Sequence, residues 1–307
     1  MNNYINYEKQ VCVVLGGALG MGLSTVNKLV DLGAKVYVLD IEPIDRSDVT
    51  YIQVDIRDTA SIDAAFAQLP QIDKFFGYAA VSGLNKSLKT VMVTNFLSYK
   101  HIMDSILLEK MNEGGAVAIT TSSMGANWAP WIEEYEWLLS ASREDSIKFF
   151  EMNEGSIGNA YAYGKRALNA YCYIKSFEYY HAKKVRINTI WPGYTDTRLM
   201  YEFAWGRGNN NDERLDYIKQ FCVVPGRPST ADEVADSALY VNSDMASYVV
   251  CDTIQVDGGL SNMNAILRFV SDEHKTPYIR NLEKLLSSVQ VAADNLPLAS
   301  KPLVYPQ

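Results

Sequence analysis

The chain has 307 residues, with 28 Lys and Arg against 36 Asp and Glu, which gives a net charge of −8. This acidic balance argues against nucleic acid or an anionic membrane as a partner. The first ten residues are polar, and no apolar run approaches the roughly 20 residues of a membrane span. We therefore expect a soluble cytoplasmic protein.

Cysteine and histidine give no sign of a disulfide framework or a metal site. The four cysteines stand singly, without a C-x-x-C pair, and the three histidines share no metal-ligand spacing. The sequence predicts reduced thiols and no bound metal.

Apolar runs bounded by turn residues alternate with helical stretches along the chain. The apolar runs are 11–15, 35–39, 75–80, 116–121 and 185–191. The helical stretches are 20–32, 61–69, 91–111 and 160–181. Such runs are typical of strands buried on both faces, and the alternation predicts a parallel sheet with right-handed crossovers. The expected fold class is α/β, a doubly wound parallel sheet of the Rossmann type, with ligands at the carboxyl ends of the strands.

A glycine-rich turn follows the first predicted strand and leads into the first predicted helix. It contains Gly16, Leu19, Gly20, Met21 and Gly22. Glycine permits a tight turn and close backbone approach, and a helix N-terminus favours a pyrophosphate. The strand-turn-helix context favours a dinucleotide site over a glycine turn without a ligand.

Carboxylates end the next two strands. Asp40 is placed where a carboxylate binds both hydroxyls of an adenosine ribose and repels a 2′-phosphate. No Lys or Arg occurs at positions 17–22 or 41–42, so the sequence favours NAD(H) over NADP(H). Asp55 has two interpretations, a contact with the adenine or an ordinary turn carboxylate.

Tyr161 and Lys165 stand four residues apart in a predicted helix, and Ser122 lies upstream. The spacing places both side chains on one helix face. A phenol has a pKa near ~10, and the Lys165 ammonium with a nicotinamide cation favours the phenolate and brings that pKa toward working pH. Taken alone, the pair could be surface decoration. Together with the glycine turn and Ser122 it predicts an alcohol dehydrogenase.

These motifs resemble the short-chain dehydrogenase/reductase family from about Val11 to Gly259. The turn matches T-G-x-x-x-G-x-G with Leu15 in place of the threonine, and Tyr161 to Lys165 match Y-x-x-x-K. Ser122 fits the catalytic serine better than Ser123 does. The family motif N-N-A-G is replaced by Gly-Tyr-Ala-Ala at 77–80, which puts local sheet packing in doubt.

The resemblance implies a role for each matched residue. Tyr161 transfers the proton, Ser122 hydrogen-bonds the substrate oxygen, Lys165 also holds the nicotinamide ribose, and Asn95 holds a water in the proton relay. Thr195 and Thr197 approach the nicotinamide carboxamide. The expected cofactor site comprises Gly16, Leu19, Gly20, Met21, Asp40, Asp55, Ile56, Ala79, Tyr161, Lys165, Pro192, Thr195 and Thr197. Family members are typically dimers or tetramers through the helices that contain Val91 and Ala160.

An aromatic insert at about 126–158 precedes the Tyr161 helix, and a further loop follows at about 198–225. Trp128 in the insert and Trp205 in the loop are the predicted substrate contacts, beside Ser122 and Tyr161. Large rigid aromatics near a cofactor suggest a flat apolar ligand. The alternative is that the insert is an oligomer-contact arm, since interfaces are rich in the same residues.

The insert and the 185–197 run are similar to those of bacterial hydroxysteroid dehydrogenases. Both the 3α-hydroxysteroid dehydrogenase/carbonyl reductases and the gut-bacterial 20β-hydroxysteroid dehydrogenases are compatible. The resemblance implies a steroid substrate, with the C20 ketone favoured and 3α next. Alternatives are a reductase of smaller cyclic or aromatic carbonyls and a non-catalytic NAD(H)-sensing regulator.

The expected organisation is one catalytic domain at 1–262 and a C-terminal extension at 263–307. Apolar residues at 282, 285, 286 and 289 predict an amphipathic helix over 277–293. The prolines that follow this helix predict an extended C-terminal segment.

Overall fold

The computed structural model describes residues 5–126, 128–222, 226–269, 271–277, 279, 280, 283 and 303–306. Seven parallel strands form one sheet in the order β3-β2-β1-β4-β5-β6-β7. The strands are Val11–Leu15 (β1), Lys35–Asp40 (β2), Thr50–Gln53 (β3), Ile72–Gly77 (β4), Met111–Thr120 (β5), Arg186–Pro192 (β6) and Thr253–Val256 (β7).

Helices cover both faces of this sheet. They are Gly20–Asp31 (α1), Thr59–Ala67 (α2), Leu88–Met92 (α3), Ser98–Ser105 (α4), Leu107–Lys110 (α5), Ile132–Ser140 (α6), Arg143–Met152 (α7), Ala160–Lys183 (α8), Arg198–Phe203 (α9), Asn211–Lys219 (α10), Ala231–Asn242 (α11) and Leu260–Phe269 (α12). One core packs α1 and α11 on the sheet, and the other packs α2 to α4 and α8 on the opposite face. The predicted doubly wound α/β fold is confirmed.

Two strands of the sheet were not predicted, and one predicted helix is interrupted. In β3 only Ile52 is buried, and β7 has no fully buried residue, so these edge strands lack the apolar runs of the central ones. The predicted helix over 91–111 contains a π-helical turn at Val93–Leu97 and a break at Ile106, where α4 ends. The next strand begins at Met111.

The insert forms α6, which packs on the first half of α8, and α7, which packs on α3. The rings of Tyr135 and Tyr163 lie 5.0 Å apart, and residues 161–172 of α8 are all buried within this chain. The first half of α8 therefore has no exposed surface for a partner subunit, and the expected pairing through this helix stays a prediction. The second half of α8 exposes Ile174 and Phe177, which are 52% and 71% exposed.

The end of the chain returns to the insert. The Asn153 side chain donates to Val304 O and accepts from Val304 N, at 2.7 and 2.9 Å. The Tyr305 ring lies 5.3 Å from both Trp137 and Phe149. The amphipathic helix predicted over 277–293 lies mostly outside the described residues.

Within the described residues, every helix is too short or too polar to cross a lipid bilayer. In the same part of the chain, no three His, Cys, Asp or Glu side chains form a cluster that could hold a metal ion.

Candidate active site

The glycine turn between β1 and α1 has the geometry of a cradle for a phosphate group. Gly16 has φ of +80°, and a Cβ there would lie 2.5 Å from Ala79 N. A Cβ on Gly22 would lie 1.9 Å from Gly16 O, so neither position accepts a side chain. Leu19 precedes α1 in an extended conformation and gives no side-chain cap, which leaves the N–H groups of the first helical turn directed toward an anion. These residues fit a dinucleotide pyrophosphate.

Asp40 lies beside this turn at the end of β2. Its carboxylate accepts hydrogen bonds from the backbone N–H groups of Ala18 and Glu42, at 2.9 and 3.1 Å. The negative charge is thus fixed at the mouth of the cradle, where the sequence predicted the adenosine ribose.

Asp55 and Ile56 follow β3 at the same edge of the sheet. The Asp55 carboxylate accepts from Arg57 Nε at 2.9 Å and from its Nη2 at 2.6 Å, and this pairing lowers the pKa of the carboxyl group. In the structure Asp55 is therefore an ordinary turn carboxylate paired with Arg57. An adenine would have to compete with Arg57 for this side chain. The Ile56 side chain is buried and apolar, and its contact with the cofactor stays a prediction.

Ser122, Tyr161 and Lys165 come together where β5 ends against α8. All three are buried, with 7%, 7% and 1% of their surface exposed. Lys165 Nζ lies 5.7 Å from the centroid of the Tyr161 ring and donates to Thr120 O at 3.1 Å. The Asn159 side chain accepts from Ala162 N at 3.0 Å and caps α8, which fixes the turn that carries Tyr161.

Burial shifts the acidity of these groups in opposite directions. It raises the pKa of Tyr161 to about 12, against the lowering effect of a hydrogen bond with Ser122. It lowers the pKa of Lys165 to about 7. In the protein without cofactor, burial therefore raises the pKa of Tyr161 more than the Ser122 hydrogen bond lowers it. The lowering expected from Lys165 together with a nicotinamide cation stays a prediction. The Tyr161 phenol of the protein without cofactor is therefore protonated at neutral pH.

Asn95 lies in the π-helical turn that faces α8 and is fully buried. Its amide accepts from Val81 N and donates to Val81 O, both at 2.9 Å. The structure thus gives this side chain a positioning role for the loop after β4. Gly164 permits the close approach of α8, since a Cβ there would lie 3.1 Å from Met92 Sδ. A water relay through Asn95 stays a prediction.

Tyr78 stands where the family motif has an asparagine. Its hydroxyl lies 2.6 Å from Thr25 Oγ1 of α1, and it also interacts with the Thr120 side chain of β5. The phenol therefore joins α1, which follows the glycine turn, to β5, which ends two residues before Ser122. The sequence left the packing of the sheet around residues 77–80 in doubt, and the contacts of Tyr78 maintain it.

The turn after β6 brings the predicted carboxamide contacts to the glycine turn. Thr195 Oγ1 lies 2.9 Å from Ser229 Oγ, and Thr197 Oγ1 donates to Thr195 O at 3.3 Å. A Cβ on Gly20 would lie 3.3 Å from Thr197 Cγ2. The two turns therefore form adjoining walls of one site.

A cavity of about 320 Å³ opens between these turns and the segment that contains α9 and α10. Predicted site residues that line it are Met21, Ser122, Tyr161, Pro192, Thr195 and Thr197. The opposite wall consists of Leu199, Met200, Phe203, Ala204, Arg207, Tyr217, Ile218, Phe221 and Leu260, among others. The Phe203 ring meets the Tyr161 ring edge-on, with centroids 4.9 Å apart.

The two tryptophans predicted to contact the substrate lie elsewhere, and these assignments are corrected. Trp128 packs on Tyr173 of α8, with ring centroids 5.0 Å apart. Trp205 is 59% exposed and stacks with Arg214. Neither lines the cavity. The aromatic composition of these segments was correct as a signal, but the sequence could not show that Phe203 turns inward while Trp205, two residues later, faces solvent.

Comparison with known proteins agrees with this geometry. A sequence profile described as short chain dehydrogenase matches residues 10–137, and one described as enoyl-(acyl carrier protein) reductase matches residues 151–261. A coniferyl-alcohol dehydrogenase from a Pseudomonas species is 27% identical over 253 residues, covering 81% of this chain and 96% of the relative. The (+)-borneol dehydrogenase 1 of Salvia officinalis is 26% identical over 287 residues, covering 84% and 95%.

Among solved structures, the 3α-hydroxysteroid dehydrogenase of Pseudomonas sp. B-0831, complexed with NADH, is similar with a TM-score of 0.68. It is 21% identical, and the match covers 85% of this chain and 99% of that one, which establishes a shared fold. The two profiles together span more than half of the chain. The chain belongs to the short-chain dehydrogenase/reductase family, whose members are oxidoreductases that act on alcohol and carbonyl groups with a nicotinamide cofactor.

Proposed function

We propose that the protein is an NAD(H)-dependent hydroxysteroid dehydrogenase that interconverts a steroid ketone and alcohol, with the C20 ketone favoured and the 3α position next. The observation that carries this proposal is the cavity, which has Ser122 and Tyr161 on one wall and aliphatic and aromatic side chains opposite. Its volume of about 320 Å³ falls within the range of roughly 300–1,000 Å³ for sites that take drug-sized ligands.

Asp40 supports NAD(H) as the cofactor. Its carboxylate is held by two backbone N–H groups beside the glycine turn, and no Lys or Arg lies at positions 17–22 or 41–42 to neutralise a 2′-phosphate. A phosphate there would meet a fixed negative charge.

In the reducing direction, Tyr161 donates a proton to the substrate oxygen. Its phenol is protonated at neutral pH because burial raises its pKa to about 12. Ser122 donates a hydrogen bond to the same oxygen and stabilises its developing negative charge. The bound nicotinamide supplies the hydride. Lys165, one helical turn from Tyr161, stabilises the phenolate that remains, and that phenolate in turn favours the charged ammonium.

A reductase of smaller cyclic or aromatic carbonyls is the second candidate. It is supported by relatives whose names specify coniferyl alcohol and borneol, both smaller than a steroid. The steroid proposal is supported by the structural similarity to a 3α-hydroxysteroid dehydrogenase. The two candidates differ in the size of ligand that the wall formed by α9 and α10 accepts.

The test is oxidation of NADH and of NADPH by the purified protein with three ketones. These are cortisol, a 3-ketosteroid that lacks a C20 ketone, and a small aromatic ketone. We expect turnover of a steroid with NADH, with kcat/KM at least about tenfold above that of the small ketone, since a larger buried apolar surface contributes more binding energy. Turnover of the small ketone alone would establish the second candidate, and equal use of NADPH would contradict the role of Asp40.

Members of this family are typically oligomeric, and we propose a homodimer or homotetramer here. The exposed Ile174 and Phe177 on the second half of α8 support this, since large apolar side chains on a surface favour association.

A further inference from the structure

Arg207 lines the cavity from the loop between α9 and α10, and its charge is not neutralised by another described residue. Its guanidinium lies over the Tyr217 ring, 5.3 Å from the centroid. In the part of the chain that the structure describes, its side chain has neither a hydrogen bond nor a carboxylate within ion-pair distance. The arginines nearby in sequence, by contrast, each have a hydrogen-bond or ion-pair partner.

Those neighbouring arginines all have polar partners. Arg198 lies 3.6 Å from a Glu202 carboxylate oxygen, and Arg227 pairs with Glu233 at 2.7 Å. Arg214 donates to Gly208 O at 3.3 Å. Arg207 is thus distinguished both by its place on the cavity wall and by its unpaired donors.

Apolar side chains line the cavity together with this cation and the Ser122 and Tyr161 hydroxyl groups. Phe203 contacts the Tyr161 ring, and Arg207 follows it after one further turn of chain, where its N–H donates to Ala204 O at 2.9 Å. Tyr217 and Ile218 of α10 continue the wall beside Arg207. The lining of the cavity thus includes the Ser122 and Tyr161 hydroxyl groups, apolar side chains and one exposed guanidinium.

We propose that Arg207 binds an anionic group of the substrate, a carboxylate or a sulfate ester, at the end of the ring system opposite the reacting carbon. This inference rests on the proposed steroid dehydrogenase function and specifies its substrate class as acidic or sulfated steroids. A guanidinium presents a planar fork of donors that matches such oxyanions, and the Tyr217 ring holds that plane without neutralising its charge. The net charge of −8 opposes anions in general, so a local cation is needed to favour one.

The experiment compares matched substrate pairs that differ only in the distal charge. For the C20 ketone the pair is pregnenolone sulfate and pregnenolone, and for the C3 ketone it is a 3-oxo bile acid and its methyl ester. We expect the charged member of one pair to have a kcat/KM about tenfold higher, mostly through KM, because a hydrogen bond to an anion is stronger than one to a neutral group and is made on substrate binding. The pair that shows the preference identifies which end of the steroid carries the anion.

Variants then assign the preference to Arg207. Arg207→Gln should bring the kcat/KM ratio of the charged to the neutral member to about one, and Arg207→Glu should reverse the preference. Arg198→Gln, an 80% exposed arginine of α9 that does not line the cavity, is the matched control and should keep the preference. Raising the ionic strength should weaken it in the wild type.

Equal kcat/KM for charged and neutral members in the wild type, or a preference that survives Arg207→Gln, would overturn the inference. If the neutral steroids are reduced and no preference appears, this inference alone fails. If no steroid of either pair is reduced, the proposed function fails, and the inference fails with it.

Discussion

Tyr161 and Lys165 share one helix, but burial shifts their acidity in opposite directions. The phenol is raised to a pKa of about 12 and the amine is lowered to about 7. Without other charges, the site therefore holds a protonated tyrosine beside a lysine that is partly neutral near pH 7. This arrangement suits donation of a proton to a ketone. Burial of the Lys165 amine also lowers the stability of the folded protein, because the charged form loses its hydration.

That cost can be measured as a pH-dependent effect of Lys165→Met in the protein without cofactor. The folded pKa of Lys165 is about 7 and its ordinary value is 10.5. Between these values the unfolded state binds more protons, so wild-type stability rises with pH across this window. Methionine cannot titrate, so the melting temperature of the variant minus that of the wild type should be more positive at pH 6 than at pH 9.

The variant also loses the hydrogen bond to Thr120, and this loss changes the melting temperature equally at pH 6 and pH 9. The comparison therefore uses the change in melting-temperature difference between the two pH values. Lys219→Met, at a half-exposed position on α10, is the control for replacing a lysine. A difference in melting temperature that is the same at pH 6 and pH 9 would show that Lys165 does not titrate in the folded protein as described.

At the scale of elements, the insert and the chain end form one unit on the surface of α8. The Tyr135 ring of α6 packs on Tyr163 of α8, and the Tyr305 ring packs on Trp137 of α6 and Phe149 of α7. The insert therefore packs on its own chain, and Trp128 does not contact the cavity. A role of the insert as an arm for a partner subunit stays a prediction.

Tyr305→Ala should lower the melting temperature by about 2–4 °C, because aromatic pairs contribute about 0.5–1.5 kcal/mol beyond the area they bury. The matched control is Tyr248→Ala, since Tyr248 is 100% exposed. Thermal unfolding followed by circular dichroism measures both variants. Shifts of equal size would contradict the packing of the chain end on the insert.

At the scale of the whole molecule, the sequence was informative wherever one local pattern determined a position. The five central strands are continuous apolar runs, and the glycine turn and the Tyr161 to Lys165 spacing each lie within a few residues. The edge strands β3 and β7 have little buried surface, so no run marked them. The inward turn of Phe203, the phenol of Tyr78 between α1 and β5, and the return of Tyr305 to the insert depend on contacts between distant segments, which periodicity cannot reveal.

The most direct test of the central claim is transfer of deuterium from NADH labelled at nicotinamide C4 to a steroid ketone, with the labelled carbon located by NMR. We predict deuterium on the former carbonyl carbon of the steroid, C20 or C3, with the wild type. Tyr161→Phe should bind NADH nearly as well and transfer no label, because it loses only the proton donor. Label that appears in a small aromatic ketone but never in a steroid, or undiminished transfer by Tyr161→Phe, would contradict the account.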